Sequence, residues 1–142
     1  MADRSFSLSS LAAIMNKKIF LVEDDLFLAS LLKNKFFEAG FDVICAQDGE
    51  QAIKILKDQK PDIIILDLIL PKKNGFEVMQ EINKNPVINK APIIIVSNLG
   101  QDEDISRGKE LGAIEYFVKA RISIEDLVEK IKKFLNEQAP SL

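Results

Sequence analysis

Residues 62–77 read DIIILDLILPKKNGFE, and this stretch decides the fold. Four apolar residues, Ile63 to Leu66, run without interruption into a lone aspartate, Asp67. Beyond it Pro71 marks a loop, and Asn74 with Glu77 forms a helix-start pair around Gly75. A strand without polar alternation is covered on both faces, which calls for a parallel sheet with helices on either side. The same grammar repeats along the chain. Strands are expected near Lys18 to Val22, Asp42 to Ala46, Asp62 to Leu66, Pro92 to Val96 and Ile114 to Val118, each followed by a segment of helical period.

The helices carry their own signals. In the first, from about Asp25, Leu28, Leu32, Phe36 and Ala39 line one face before Gly40, a natural residue for the left-handed position after a helix. Asp48 with Gln51 marks the start of the second. The fourth, near Gln101 to Leu111, is the least apolar and is expected to be the most mobile. The last repeats Ile124, Leu127, Val128, Ile131, Phe134 and Leu135 at helical spacing, with Ser123 and Asp126 as its capping pair.

With 142 residues, 47% of them hydrophobic, the chain can bury one sizeable core. A net charge of −3, with lysines scattered among acids, gives no basic field and argues against direct nucleic-acid binding. Cys45 is the single cysteine and histidine is absent, which removes disulfides, Cys/His zinc sites and His-based triads and fits a reducing cytoplasm. No apolar run approaches the length of a membrane span. Residues 17–137 read as one folding unit followed by a short tail, 138–142. The serine-rich segment Met1–Asn16 differs in texture. It reads as an N-terminal extension outside the fold, or as sequence upstream of a true start at Met15. A signal peptide is the weaker reading, since the stretch lacks a small-x-small cleavage site.

In an open parallel sheet, ligands bind beyond the carboxyl ends of the strands. The residues at those ends form a set: Glu23, Asp24 and Asp25 after the first strand, Asp67 after the third, Ser97 after the fourth and Lys119 after the fifth. Two carboxylates about 4 Å apart repel by about 4 kcal/mol at an effective dielectric near 20. A divalent cation relieves that repulsion, and a few oxygens with room for waters suit Mg²⁺. With Mg²⁺ beside it, Asp67 can attack a phosphoryl group whose oxygens are shared with Lys119 and Ser97.

These motifs resemble the receiver domains of bacterial two-component response regulators, from about Lys18 to Leu135. IFLVEDD (19–25) is similar to the family's first strand and acidic pair, and IIILDLILPKKNGFE (63–77) to its third strand, phosphoacceptor and loop. PIIIVSN (92–98) resembles the fourth strand with its Ser/Thr switch, and GAIEYFVK (112–119) the fifth, with an aromatic switch before the family's lysine. The resemblance implies a CheY-like, doubly wound flavodoxin-like (βα)5 fold with strand order 2-1-3-4-5. It implies Asp67 as phosphoacceptor and Mg²⁺ ligand, Asp24 as a direct Mg²⁺ ligand, Glu23 acting through water, and Ile69 supplying a backbone carbonyl. Ser97 and Tyr116 take the switch roles and Lys119 contacts phosphate, while Asp25 corresponds to a variable position with no metal role. Implied partners are a sensor histidine kinase or phosphotransfer protein and a downstream effector.

Two departures bear on the chemistry. The family's proline after the lysine is replaced by Ala120, so a trans bond and a rearranged loop that still lets Lys119 reach are expected. Asn98 stands where a small residue is usual, which tightens access for water. Only NEQAPSL follows Leu135, so output is expected through a separate protein or a second copy, on a face that includes Asp102, Glu103, Asp104, Arg107 and Arg121. Two alternatives stay open: a pseudo-receiver that binds protein without being phosphorylated, and an aspartyl-phosphate phosphatase, for which Ile69 occupies the place of the second acid.

Overall fold

The computed structural model describes residues 17–137. The expected extension at 1–16 and tail at 138–142 lie outside the described residues. Strands β1 (Lys18–Val22), β2 (Asp42–Ala46), β3 (Ile63–Leu66), β4 (Ile93–Ser97) and β5 (Ala113–Val118) alternate with helices α1 (Leu26–Glu38), α2 (Gly49–Leu56), α3 (Gly75–Lys84), α4 (Asp102–Glu110) and α5 (Ile124–Glu137). The sheet is wholly parallel, in the order β2-β1-β3-β4-β5. Strand order and fold class are those expected from the sequence. The fourth strand takes in Ser97, and the third and fourth begin one residue later than read, at Ile63 and Ile93.

The apolar runs are apolar because the pleat sends alternate residues to two separate cores. Phe20, Val22, Ile64, Leu66, Ile93 and Ile95 face α2 and α3, where Ile53, Leu56, Val78 and Met79 meet them. Ile19, Leu21, Ile63, Ile65, Ile94 and Val96 face α1 and α5 through Leu32, Phe36, Leu127 and Ile131. Each such side chain contributes roughly 1.5–3 kcal/mol when buried, so the three central strands are the best-anchored part of the molecule. The strand ends they hold are therefore a rigid platform.

Helix starts follow their local signals. Asp25 caps α1 by accepting from Phe27 and Leu28 N–H at 3.0 and 3.1 Å. Asp48 caps α2 by accepting from Gln51 N–H at 2.8 Å, Asn74 and Glu77 form a reciprocal capping box on α3, and Ser123 Oγ accepts from Asp126 N–H at 3.0 Å. Gly40 follows α1 with φ 98°, the left-handed conformation its position called for. Helix α4 is the exception. It has no side-chain cap and buries only Gly108. It is held from the side instead, by the Arg107 guanidinium 4.3 Å over the Phe76 ring of α3.

Candidate functional site

The register of the sheet assembles the site. Val22 pairs with Leu66, so the next residues, Glu23 and Asp67, leave adjacent strands side by side. Their backbones stay tied: Asp67 N–H donates to the Val22 carbonyl and Glu23 N–H to the Ala46 carbonyl, both at 3.0 Å. Ser97 pairs with Val118, which places Lys119 just past the end of β4. From there Lys119 lies two strands from Asp67, about 9–10 Å in backbone terms, a gap its four-carbon stem crosses. Its Nζ lies 2.7 Å from Asp67 Oδ2 and 2.7 Å from Glu23 Oε1. The intervening strand ends in the small, fully buried Ser97, which leaves room for that crossing.

Glu23, Asp24 and Asp67 each bring one carboxylate oxygen within 4.8 Å of the others. Glu23 and Asp67 are buried and Asp24 is exposed, so the cluster opens to solvent on one side. Each oxygen of the two buried acids meets one donor from the chain, which leaves lone pairs free. Glu23 Oε2 accepts from Asp25 N–H at 3.0 Å and Asp67 Oδ1 from Ile69 N–H at 3.1 Å, while their other oxygens face Lys119. No buried side-chain nitrogen or oxygen among the described residues lacks a partner. Burial pushes the Glu23 carboxyl above its usual range, against the pull of the Lys119 hydrogen bond and the Asp25 N–H. For Lys119, burial works against the charge, but the hydrogen bonds to Asp67 and Glu23 outweigh it and hold the ammonium above its ordinary range. Three carboxylates against one ammonium leave the site short of positive charge. All-oxygen donors with an open side could hold a hard divalent cation.

The remaining predicted residues are placed less directly. The peptide bonds among the described residues are trans, that before Ala120 included, and Lys119–Arg121 forms a single 3₁₀ turn that still delivers the lysine. Ser97 Oγ faces Leu99 N–H at 3.4 Å, at the weak end of hydrogen bonding. The Tyr116 hydroxyl donates to the Leu99 carbonyl at 2.6 Å. Burial, helped by Asp104 and Asp67, pushes its phenol up to about 12, so it remains a donor across the neutral range. Ile69 reaches Asp67 through its N–H, and its side chain stands 52% exposed beside the acids. Asp25, given no role at the metal, both caps α1 and fixes Glu23 through its N–H. That second role was not read from the sequence, because a backbone N–H carries no residue-specific signal.

Residues 19–132 match the family described as the response regulator receiver domain. The chain belongs to that family. This receiver is 36% identical over 130 residues to the alkaline phosphatase synthesis transcriptional regulatory protein PhoP of Bacillus subtilis, covering 89% of this chain and 53% of PhoP. It is 39% identical over 118 residues to the transcriptional regulatory protein CpxR of Klebsiella pneumoniae, covering 83% of this chain and 49% of CpxR. The receiver thus spans about half the length of these regulators. Among solved structures, the phosphorylated cyanobacterial phytochrome response regulator RcpA superposes with a TM-score of 0.77 at 30% identity, over 88% of this chain and 97% of RcpA. Family and fold together place the chain in two-component signal transduction. No helix among the described residues is long and apolar enough to cross a membrane.

Proposed function

We propose that this receiver accepts a phosphoryl group on Asp67 and relays the change to another protein. The observation that carries the reading is the buried Asp67 carboxylate at the end of β3, within 4.8 Å of Glu23 and Asp24 and 2.7 Å from Lys119. Asp24, Asp67 and the Ile69 backbone carbonyl would hold Mg²⁺, with Glu23 acting through water. When bound, the ion neutralises charge on the phosphoryl oxygens and so lowers the barrier to transfer.

The chain's own residues supply the rest. One Asp67 carboxylate oxygen attacks phosphorus while the bond from phosphorus to the donor breaks and its electron pair leaves with the donor, an imidazole nitrogen if a sensor histidine kinase or phosphotransfer protein is the source. Lys119 keeps an ammonium at the Asp67 oxygens, and the Ser97 hydroxyl turns from the Leu99 N–H toward a phosphoryl oxygen. Discharge is attack by water on the acyl phosphate, so the only catalysis is of the chain's own phosphorylation and dephosphorylation. Ile69 stands where an aspartyl-phosphate phosphatase needs a second acid, which disfavours turnover. A cytoplasmic kinase partner fits this chemistry.

The output surface follows from Ser97 and Tyr116. Movement of the Ser97 hydroxyl frees space beside β4, and Tyr116 can leave the Leu99 carbonyl to fill it, a two-state element. The shift reshapes the α4–β5–α5 face for an effector or a second copy, with a coupling of about 1–3 kcal/mol.

Mass spectrometry of the intact protein tests the reading. A small phosphodonor with Mg²⁺ is expected to add a single phosphoryl group, and labelling that is indifferent to a chelator would refute the proposed site. Decay of the label tests the crowding. Asn98 is exposed just after Ser97, where it hinders an in-line water, so Asn98→Ala is expected to speed dephosphorylation several-fold. An unchanged or slower decay would remove Asn98 from the control of lifetime.

A further inference from the structure

Residues 68–74, which lead out of Asp67, include exposed positions at Ile69, Pro71, Lys72 and Asn74, yet they hold a specific path. Lys72 sits at φ 68°, a left-handed conformation unusual for a residue with a side chain. The loop is pinned from two sides by close backbone approach. On one side Gly75 N–H donates to the Leu68 carbonyl at 3.0 Å, and a Cβ at Gly75 would fall 2.4 Å from the Asp67 carbonyl oxygen. On the other side stands α2, an element that contributes nothing to the acid cluster. Gly49, its first residue, donates its N–H to the Pro71 carbonyl at 3.3 Å. A Cβ at Gly49 would fall 1.9 Å from the Lys73 carbonyl oxygen and 2.6 Å from its carbon. Asp48 Oδ2, one residue earlier, lies 3.8 Å from Lys72 Nζ.

We infer that Gly49 is a positioning residue for the Asp67 site, the first turn of α2 being the stop against which loop 68–74 is seated. The inference rests on the Mg²⁺-binding reading above and deepens it. Any side chain at Gly49 must displace something, and the packing decides what. Helix α2 cannot retreat, because Ala52, Ile53 and Leu56 are locked in the core. The loop can, because Pro71 and Lys72 are exposed and Lys73, the residue struck, is half-buried and held to α3 only through its flexible side chain, by Glu81. It pivots on Asp67 and Leu68, so its displacement carries the Ile69 backbone with it. That backbone fixes Asp67 Oδ1 through the Ile69 N–H and would supply a carbonyl to the ion. Loss of such support around a metal site typically weakens binding by roughly 10- to 100-fold.

The test is the Mg²⁺ dissociation constant of the full chain, measured by calorimetry, together with the thermal midpoint in chelator. Gly49→Ala is expected to weaken Mg²⁺ binding by about tenfold or more. Gly112→Ala is the comparison. Gly112 has φ +114° with open space around a Cβ, far from the loop in sequence and on the α4–β5 turn. That variant should lose stability while binding Mg²⁺ as the wild type does. A merely structural glycine would make the two variants behave alike. Pro71→Gly loosens the same seat from the exposed loop side without touching the core, and it carries the test if Gly49→Ala does not fold. Wild-type affinity in Gly49→Ala, or in Pro71→Gly where only that variant folds, overturns the inference. Absence of Mg²⁺ binding in the wild type overturns the site reading itself.

Discussion

Asp67→Asn is expected to abolish Mg²⁺-dependent phosphorylation while leaving the fold in place. The substitution is nearly isosteric, and the amide oxygen can still accept from the Ile69 N–H that now reaches Asp67 Oδ1 at 3.1 Å. What disappears is the anionic oxygen. An amide is no nucleophile toward phosphorus, and the neighbouring Asp24 is exposed and makes no contact with Lys119, the cation that would steady a phosphoryl group. Label on intact protein should fall below detection, with the circular dichroism spectrum unchanged. A variant that still takes up one phosphoryl group would move the acceptor elsewhere.

Lys119→Met has the largest expected effect on stability. Among the described residues, the lysine is the one cation paired with the two buried carboxylates, at 2.7 Å from each. Removing one partner of a buried ionic network strands the others, at a cost of about 3–5 kcal/mol. The pH dependence gives the cause away. Glu23 already has a carboxyl raised by burial, against the pull of the Lys119 hydrogen bond, and without the lysine it rises further. A group whose folded pKa is raised keeps its full contribution below the unfolded value and loses it as pH climbs through the folded value. The variant should therefore approach the wild type in acid and fall behind as pH rises through and above the ordinary carboxylate range. At the alkaline end, the wild-type Lys119 contribution persists through neutrality and fades as pH climbs through its own raised pKa. Denaturant unfolding at several pH values in chelator measures this. A pH-independent deficit would mean that Lys119 stabilises by packing alone. Added Mg²⁺ should recover more stability in the variant than in the wild type, since it replaces the missing charge.

Much of the architecture was legible because the three central strands are buried on both faces, so Ile63–Leu66 and Ile93–Val96 had to be uninterrupted apolar runs. Caps were legible for a related reason: Ser123 with Asp126 and Asn74 with Glu77 are local bonds, set by spacing. Strand starts were read one residue early at Asp62 and Pro92. Asp62 does bond to β1, donating to the Lys18 carbonyl at 2.8 Å and accepting from Lys18 N–H at 2.7 Å, but as a cap on the strand end. The position of the acids was legible from the strand ends, whereas the reach of Lys119 across β4 depended on strand order, which came from family resemblance. What could not be read were contacts between segments remote in sequence. Gly49 against Lys73 and the Tyr116 hydroxyl on the Leu99 carbonyl leave no local periodicity, because neither residue's neighbours encode its partner.

The hydrogen bond from Tyr116 to Leu99 has a practical corollary. The chain contains one tyrosine and no tryptophan, so its near-ultraviolet emission comes overwhelmingly from a single ring on β5. A phenol donating to a carbonyl emits differently from one released to water, and with its ionisation pushed up to about 12 this one does not change colour through deprotonation under ordinary conditions. The receiver therefore carries an intrinsic optical gauge at its fifth strand, readable in stopped flow without attaching any dye.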